Sequence, residues 1–477
     1  MYKKLTLTLA TCLLMVAHLS SQETWSLQKC VQYAWENNIT IKRTELNMQQ
    51  SQLDKKASQM LRLPNLNGSL SGAYQFGRTI DPVTNEFNSL SIGTNGLRLD
   101  AGVTLYNGNR INNSIKQAGY DIQAAMNDLA QAKNDISLSI ASAYLNVLFA
   151  EEQLTAAVQR KILTESQLDQ VDKLIKAGVR PANDRLDILA TIARNEQQII
   201  TQENAVETGM LNLKNILMLD PSKTIQLEKP NTILVAVDEN PELVKLNDLY
   251  QSSLNNQPFV KADEFRVKSA ALGKQIARAS ALPNLSAFAG LSSNYSTRFQ
   301  QRDGTFSTEI VTQTVTLDGQ QVDFGFTQEV PNFEDVSYFD QVNQNFGQNV
   351  GLSLRVPIYN NHTTIINMDR AEISVRNAQY AAELNRQNLK NDIQTALANA
   401  RAAKRTLQAA QRTVEATQAA FQNSEKQFEL GTINTFEYAT AKNNLDQAEV
   451  DLIVAKYDYI FTLKVLDFYQ GKKLELK

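Results

Sequence analysis

The sequence predicts a mainly α-helical, internally duplicated chain that also carries four short strands of membrane-spanning length. Three observations predict it. Leu63-Pro64-Asn65-Leu66 recurs as Leu282-Pro283-Asn284-Leu285, 219 positions later. Ala118, Ala125, Ala143, Ala150 and Gly178 recur as Ala371, Ala378, Ala396, Ala403 and Gly431, all 253 positions later, so the long helical pattern needs no gap. Beside each of these helical stretches the apolar period drops to two, the spacing of a strand. A duplicated helical part that keeps its length implies that the length itself is functional.

Residues 1–21 read as a secretory signal. Lys3 and Lys4 supply the positive start, Leu5 to Leu19 a short apolar core, and Ser20-Ser21-Gln22 small residues for a cut after Ser21. Cys12 lies inside that core, where a lipoprotein site has weak support. The run is shorter than the roughly 20 apolar residues of a spanning helix, and no later segment offers one.

The mature chain then keeps one cysteine, Cys30, and one histidine, His362. An internal disulfide is excluded, and no cluster has metal-ligand spacing, so neither metal nor cofactor is expected. Cys30, between Leu27 and Val31, reads as a small buried hydrophobe. A net charge of −3 with mixed signs argues against nucleic acid as a partner. There is no Ser-His-Asp set and no phosphate-cradling glycine loop, so an enzyme is not expected.

The first repeat, 22–220, is expected to hold helices over about 27–62, 111–176 and 182–219. In the longest, Ile111, Ile115, Ala118, Ile122, Ala125, Leu129, Ala132 and Ile136 step by four and three, the seam of helices wound on neighbours. At a rise of ~1.5 Å per residue it would be on the order of 100 Å long, the length of a rod or a tunnel wall. It ends at Gly178, with Pro181 preventing continuation, and a shorter helix returns. The second repeat, 241–477, is expected to hold helices over about 241–281, 362–429 and 435–470, with its turn at Gly431. In each repeat two shorter helices stacked end to end would match the long one. A linker, 221–240, joins the repeats and includes a possible short strand at Thr232 to Val237.

Strands are expected over about 65–76, 97–106, 284–295 and 349–359. Leu97, Leu99, Ala101, Val103 and Leu105 alternate with Arg98, Asp100, Gly102 and Thr104, and Val350, Leu352 and Leu354 alternate with Gly351, Ser353 and Arg355. Each stretch has about the 9–11 residues of a tilted spanning strand, with aliphatic residues toward lipid and charges toward a wet lumen. The same alternation also fits a half-buried soluble sheet. Four strands cannot close a transmembrane barrel, so the membrane reading requires an oligomer. Polar loops, 77–96 and 296–348, join the strand pairs, and the second carries the extra residues of an exposed loop tip.

In order, duplication and spacing, these elements resemble the TolC family of outer-membrane efflux proteins. The matching features are Trp25-Ser26-Leu27-Gln28-Lys29-Cys30-Val31 with Glu36-Asn37-Asn38, both Leu-Pro-Asn-Leu junctions, Tyr106-Asn107-Gly108 with Tyr359-Asn360, and both glycine turns. The resemblance implies a homotrimer whose strands form a 12-stranded β-barrel in outer-membrane lipid, continued by a periplasmic α-barrel. It implies a passive channel for small molecules or proteins, coupled through a periplasmic adaptor to an inner-membrane pump.

The family is closed at its periplasmic tips by polar residues just after the glycine turns. By resemblance Asp184, Asp187 and Glu437 would form carboxylate rings at that constriction, with Arg180 beside them. The alternative for each acid is a solvated first-turn carboxylate favoured by the helix dipole. The exposed turns themselves, Gly178-Val179 and Gly431-Thr432, would contact the adaptor. Thr440 stands where a second acid is expected in the second repeat, and Ile433 where some relatives carry a basic latch residue. A soluble periplasmic coiled-coil protein is the alternative function; it leaves the four alternating strands unexplained.

Overall fold

The computed structural model describes residues 24–80, 85, 87–88, 91–229, 240–317 and 320–472. The signal segment and the possible strand at Thr232 to Val237 lie outside the described residues. From the amino terminus the elements are β1 (Thr24–Trp25), α1 (Leu27–Asn37), α2 (Ile39–Met60), β2 (Asn65–Gln75), β3 (Thr79–Ile80), β4 (Phe87–Asn88), β5 (Ile92–Tyr106), α3 (Arg110–Lys176), α4 (Asn183–Leu217) and β6 (Gln226–Leu227). There follow α5 (Leu246–Asn256), α6 (Pro258–Ala279), β7 (Asn284–Ser296), β8 (Gln300–Leu317), β9 (Gln320–Asp335), α7 (Tyr338–Gln344), β10 (Gly347–Arg355), α8 (Thr363–Glu429) and α9 (Thr435–Gln470). The described residues form two compact units. One lies within Met1–Leu53, Gly119–Ala270 and Ser374–Lys477, the other within Asp54–Ala118 and Ala271–Ile373.

The duplication is kept element by element. α5 and α6 begin and end 219 positions after α1 and α2, and α8 begins and ends 253 positions after α3. The two long helices have 67 residues each, about 100 Å of α-helix. The single helices expected over 27–62 and 241–281 are instead broken, at Asn38 and Gln257. Both residues have extended backbone, and their N–H groups donate to Ala34 O and Ser253 O at 2.8 Å. Pro258 explains the second break, because a residue before proline is pushed out of the helical region. Asn38 makes the first: its Oδ1 accepts the Thr40 N–H at 2.9 Å as the cap of the next helix, while its Nδ2 donates to Ile216 O.

In the first unit Trp25, Cys30, Tyr144, Leu148, Leu213 and Leu217 form the largest buried cluster. β1 pairs in parallel with β6, a short ladder that the sequence did not suggest. The Tyr144 hydroxyl fastens it, donating to Glu228 O at 2.6 Å with Trp25 O at 3.0 Å. The Lys29 and Lys223 ammonium groups lie 5.0 and 5.2 Å from the Trp25 ring centroid. Burial pushes the Cys30 thiol up to about 12, so it packs as an unreactive hydrophobe. A second cluster gathers Leu249, Val260, Leu389, Ile393 and Leu466, and a third Leu407, Ala455, Tyr459 and Leu463.

The second unit contains a four-stranded antiparallel sheet in the order β10-β7-β5-β2. Its register gathers the apolar positions on one face. Leu66 and Leu70 oppose Ala101 and Leu97, Leu99 opposes Leu291, and Val350, Leu352 and Leu354 oppose Ala289, Ala287 and Leu285. Asn67, Ser69, Arg98, Asp100, Ser292 and Ser353 share the other face. Gly351 leaves room there for the Phe288 ring, which a Cβ at 351 would meet at 2.5 Å.

Each repeat enters its long helix through two successive left-handed residues, Gly108 and Asn109 in the first, Asn361 and His362 in the second. His362 is thus a turn residue. The loop expected at 296–348 is corrected: β8 and β9 form a long antiparallel hairpin, and α7 follows. Thr308, Ile310, Thr312 and Thr314 alternate with Val311 and Val315 along β8, and such β-branched residues favour an extended backbone over a loop.

Replacing Tyr144 with Phe deletes the donor to the Glu228 carbonyl. Thermal and urea unfolding should place Y144F about 1–3 kcal/mol below the parent, with the far-UV spectrum unchanged.

Candidate functional site at the helical tips

Both long helices end in the same backbone device. Gly178 at φ +76° donates to Ile175 O, and Val179 donates to Leu174 O. Gly431 at φ +73° donates to Phe428 O, and Thr432 donates to Gln427 O. These paired bonds satisfy the last carbonyls of each helix and need a left-handed residue, hence glycine. A Cβ at either glycine would meet nothing within 4 Å, so the turns are open on their outer side. Val179, Leu186, Leu430 and Phe436 are exposed around them.

The side chains then divide the two turns. Arg180 reaches from the first turn to the second: its guanidinium carbon lies 4.0 Å from the Phe428 ring centroid, and Nη2 donates to Phe428 O at 3.4 Å. Its Nη1 stands 3.5 Å from Asp184 Oδ2, and these two side chains are only 12% and 14% exposed. Arg180 is therefore a clamp between the end of α8 and the start of α4, with the Asp184 carboxylate engaged by it. Asp187, one turn further along α4, is exposed. Glu437 closes a capping box: its carboxylate accepts the Asn434 N–H at 3.3 Å, and its own N–H donates to Asn434 Oδ1 at 2.9 Å. Of the acids named from sequence, Asp187 alone stands free of a described tip role, Asp184 belongs to the clamp, and Glu437 belongs to a helix start.

Sequence reasoning missed the aromatic stack behind the clamp. Tyr438 lies 4.6 Å from Phe428 and 5.5 Å from Phe421, ring to ring, and Lys442 sits over Phe421 while pairing with Asp446 at 2.5 Å. Phe421 and Phe428 are seven apart on α8, a heptad spacing that a search for aromatic pairs would have found. Burial, followed by the nearby charges of Glu425, Glu429 and Asp446, pushes the Tyr438 phenol up to about 12.

The sequence model of the family described as Outer membrane efflux protein matches residues 30–217 and 249–471, which include both tips. The chain belongs to the outer membrane efflux protein family. Among individual relatives, outer membrane protein TolC of Escherichia coli K12 is 23% identical over 217 residues, an alignment spanning 44% of each chain. The chain thus matches less than half the length of this curated relative. Its fold is similar to that of CusC, with a TM-score of 0.75 at 17% identity, covering 94% of this chain and 92% of that one. It is also similar to the CmeC outer membrane channel of Campylobacter jejuni, with a TM-score of 0.71 at 16% identity, covering 94% and 86%. These relatives are channel proteins, and the family is not one of enzymes. Among the described residues no helix is long and apolar enough to cross a membrane, and no group of side chains could hold a metal ion.

Substitutions at Arg180 and Tyr438 test the doubled turn of this chain. Arg180→Ala should raise amide hydrogen exchange several-fold at 174–184 and 427–432 and leave β5 and β7 unchanged; Arg180→Lys, which keeps the charge but loses the planar stack, should not restore protection. Tyr438 stabilises the fold in its neutral form. Its contribution is complete below the ordinary phenol pKa of about 10 and is lost as pH rises toward about 12. Melting temperatures should therefore fall less steeply over that window in Tyr438→Phe than in the parent.

Proposed function

We propose that three copies of this chain form an outer-membrane duct whose long helices extend into the periplasm, after export directed by residues 1–21. The carrying observation is the sheet. Most of its aliphatic residues lie on one face, and Leu66, Leu70, Val350, Leu352 and Leu354 there are each more than 60% exposed in the single chain. Such a face is sheltered by lipid, while Arg98, Asp100 and Arg355 on the other face suit a wet lumen. The edge strands β2 and β10 each pair on one side only. Because neighbours alternate in direction through the sheet, β2 of one copy meets β10 of the next as an antiparallel pair. Three copies then close twelve strands and leave no edge.

The helices joined to those edges support the same closure. α2 exposes Ile39, Leu46, Leu53 and Met60, and α8 exposes Ile366, Ile373 and Tyr380, each set at seven-residue spacing. These are the seams of coiled-coil contacts that the single chain leaves unfilled. A soluble periplasmic coiled-coil protein would use the seams but has no use for the apolar sheet face.

The duct is passive, and transport is driven by an inner-membrane pump reached through a periplasmic adaptor. The exposed turns Gly178-Val179 and Gly431-Thr432, with their apolar neighbours, are the adaptor's landing points. Small molecules or proteins are the cargo class. At the tips, three copies of Asp187 form the carboxylate ring that favours cations, with Glu437 near it, whereas Asp184 acts through Arg180 to hold the two turns together.

Native mass measurement in detergent and single-channel recording in planar bilayers test this reading. The expected result is a trimer with small, cation-selective conductance. Asp187→Asn should move the reversal potential in a salt gradient toward that of a non-selective pore, and Asp184→Asn should raise conductance by loosening the clamp. A detergent-independent monomer without conductance would sink the duct.

A further inference from the structure

The β8–β9 hairpin lies in the second unit and takes no part in the four-stranded sheet. Its root is fixed. Ser293 Oγ on β7 donates to Val342 O at 2.6 Å, Gln341 Oε1 accepts the Ser296 N–H at 3.0 Å, and the Tyr338 hydroxyl donates to Asn95 Oδ1 at 3.0 Å. From Phe306 to Leu317 the ladder runs without a break against Pro331 to Gln320. β8 and β9 make a two-stranded sheet, so each has one unpaired side among the described residues.

The two sides are not alike. Proline in a ladder sits where its nitrogen faces away from the partner strand, so Pro331 leaves the outer side of β9 without a donor at that point. Phe306 lies opposite Pro331. In an antiparallel ladder two opposed residues turn their backbone groups either toward each other or both outward. Phe306 therefore presents its N–H and C=O outward, and so do Thr308, Ile310, Thr312, Thr314 and Thr316 at every second position. The Thr314 hydroxyl's bond to Asp323 Oδ1 at 2.6 Å agrees, because side chains are closest at pairs whose backbones face outward. All six residues are aromatic or β-branched, and Phe306 and Ile310 are 63% and 73% exposed. Natural edges are blunted by lysine, proline or bulges, yet 305–330 contains no lysine, arginine or proline. The outer side of β8 is an open edge.

Charge selects the occupant. Between Gln300 and Asp335 the chain has seven acidic residues and one basic residue, Arg302, a net charge of −6 against −3 for the whole sequence. Glu309 and Glu329, exposed near the middle of the ladder, lie opposite Gln328 and Thr308, so no cation neutralises them across it. A second hairpin of the same charge would be repelled. We propose that β8 accepts, as an added strand, an extended lysine- or arginine-bearing segment of another protein. The backbone of that segment pairs with the six outward residues. On one face its apolar side chains pack beside Phe306 and Ile310, and on the other its cations lie beside Glu309, which points away from them along the strand. The inference does not depend on the duct reading, since it needs only the hairpin and its free edge.

The full-length protein in an uncharged detergent is titrated with a fluorescent peptide of alternating lysine and valine, and binding is read by anisotropy and by amide hydrogen exchange. In the free protein, alternate amides over 306–316 should exchange rapidly, and the peptide should protect them. The same peptide N-methylated at every residue keeps its charge and loses its donors. It should bind at least about tenfold more weakly, as should a peptide of alternating glutamate and valine. Thr312→Pro closes the edge without removing a ladder bond, so it should abolish binding at the parent's melting temperature. Glu309→Lys should weaken binding at least about tenfold. The peptide comparisons need no variant and remain informative if Thr312→Pro misfolds. Equal binding of the methylated or the glutamate peptide would overturn the proposal, and so would outward amides already protected in the free protein, as a neighbouring copy on this edge would leave them.

Discussion

A β-sheet placed in a bilayer must satisfy every backbone N–H and C=O within itself, because lipid offers neither donors nor acceptors. The sheet of this chain cannot do so alone: β2 and β10 are bare along one side, and one face is mostly aliphatic. Much else in the molecule is intelligible from that incompleteness. The edge strands connect to the helices whose exposed seams repeat every seven residues, so strand closure and helix packing call for the same neighbour. Glycines at 290 and 351 fit the polar face, where Asn349, Asp100 and the Phe288 ring occupy the space that a Cβ would take. A pattern that would be an aggregation hazard in a monomer becomes an assembly instruction in a membrane.

The length of the long helices has a different origin. Neither contains proline, and each carries an apolar seam in which alanine is frequent, so backbones can approach closely without a thick core. The shorter helices show the cost of matching that length with two pieces. Their junctions at Asn38 and Gln257 interrupt the hydrogen-bond ladder, and side-chain amides reach across to Ile216 O and Phe468 O at the ends of the returning helices. Stacking is thus fastened by polar side chains where the backbone cannot continue, an arrangement that tolerates burial only when its groups find partners.

Most of this was legible in the sequence because the duplication samples each element twice. The long helices, the glycine turns and the four sheet strands all leave periodic or turn-forming marks at fixed offsets. The breaks were less legible. Pro258 announces one of them, but Asn38 breaks its helix through a side-chain cap, and an asparagine in a helical pattern has no unique reading. The β8–β9 hairpin was missed because its polar, threonine-rich sequence lies between strong neighbours and has no counterpart in the first repeat. At the tips, the residue types were visible but their partners were not. Only packing reveals that Arg180 spans to Phe428, so that the Asp184 carboxylate belongs to a clamp.

The repeats agree in backbone and differ in side chains, and the differences are concentrated where chemistry is available. Both tips use the same left-handed glycine, yet the first is held by an arginine stacked on an aromatic ring and the second by a reciprocal asparagine–glutamate cap. Both helix junctions have an extended residue with a side-chain amide, yet Asn38 engages both amide atoms, while Gln257 buries an Oε1 without a partner among the described residues. Backbone geometry is what matched helix length requires, so it admits little variation between the two repeats. Side chains at turns and junctions are released from that requirement, and an internal duplication therefore marks its own functional candidates: positions whose backbone is repeated while their bonding is not.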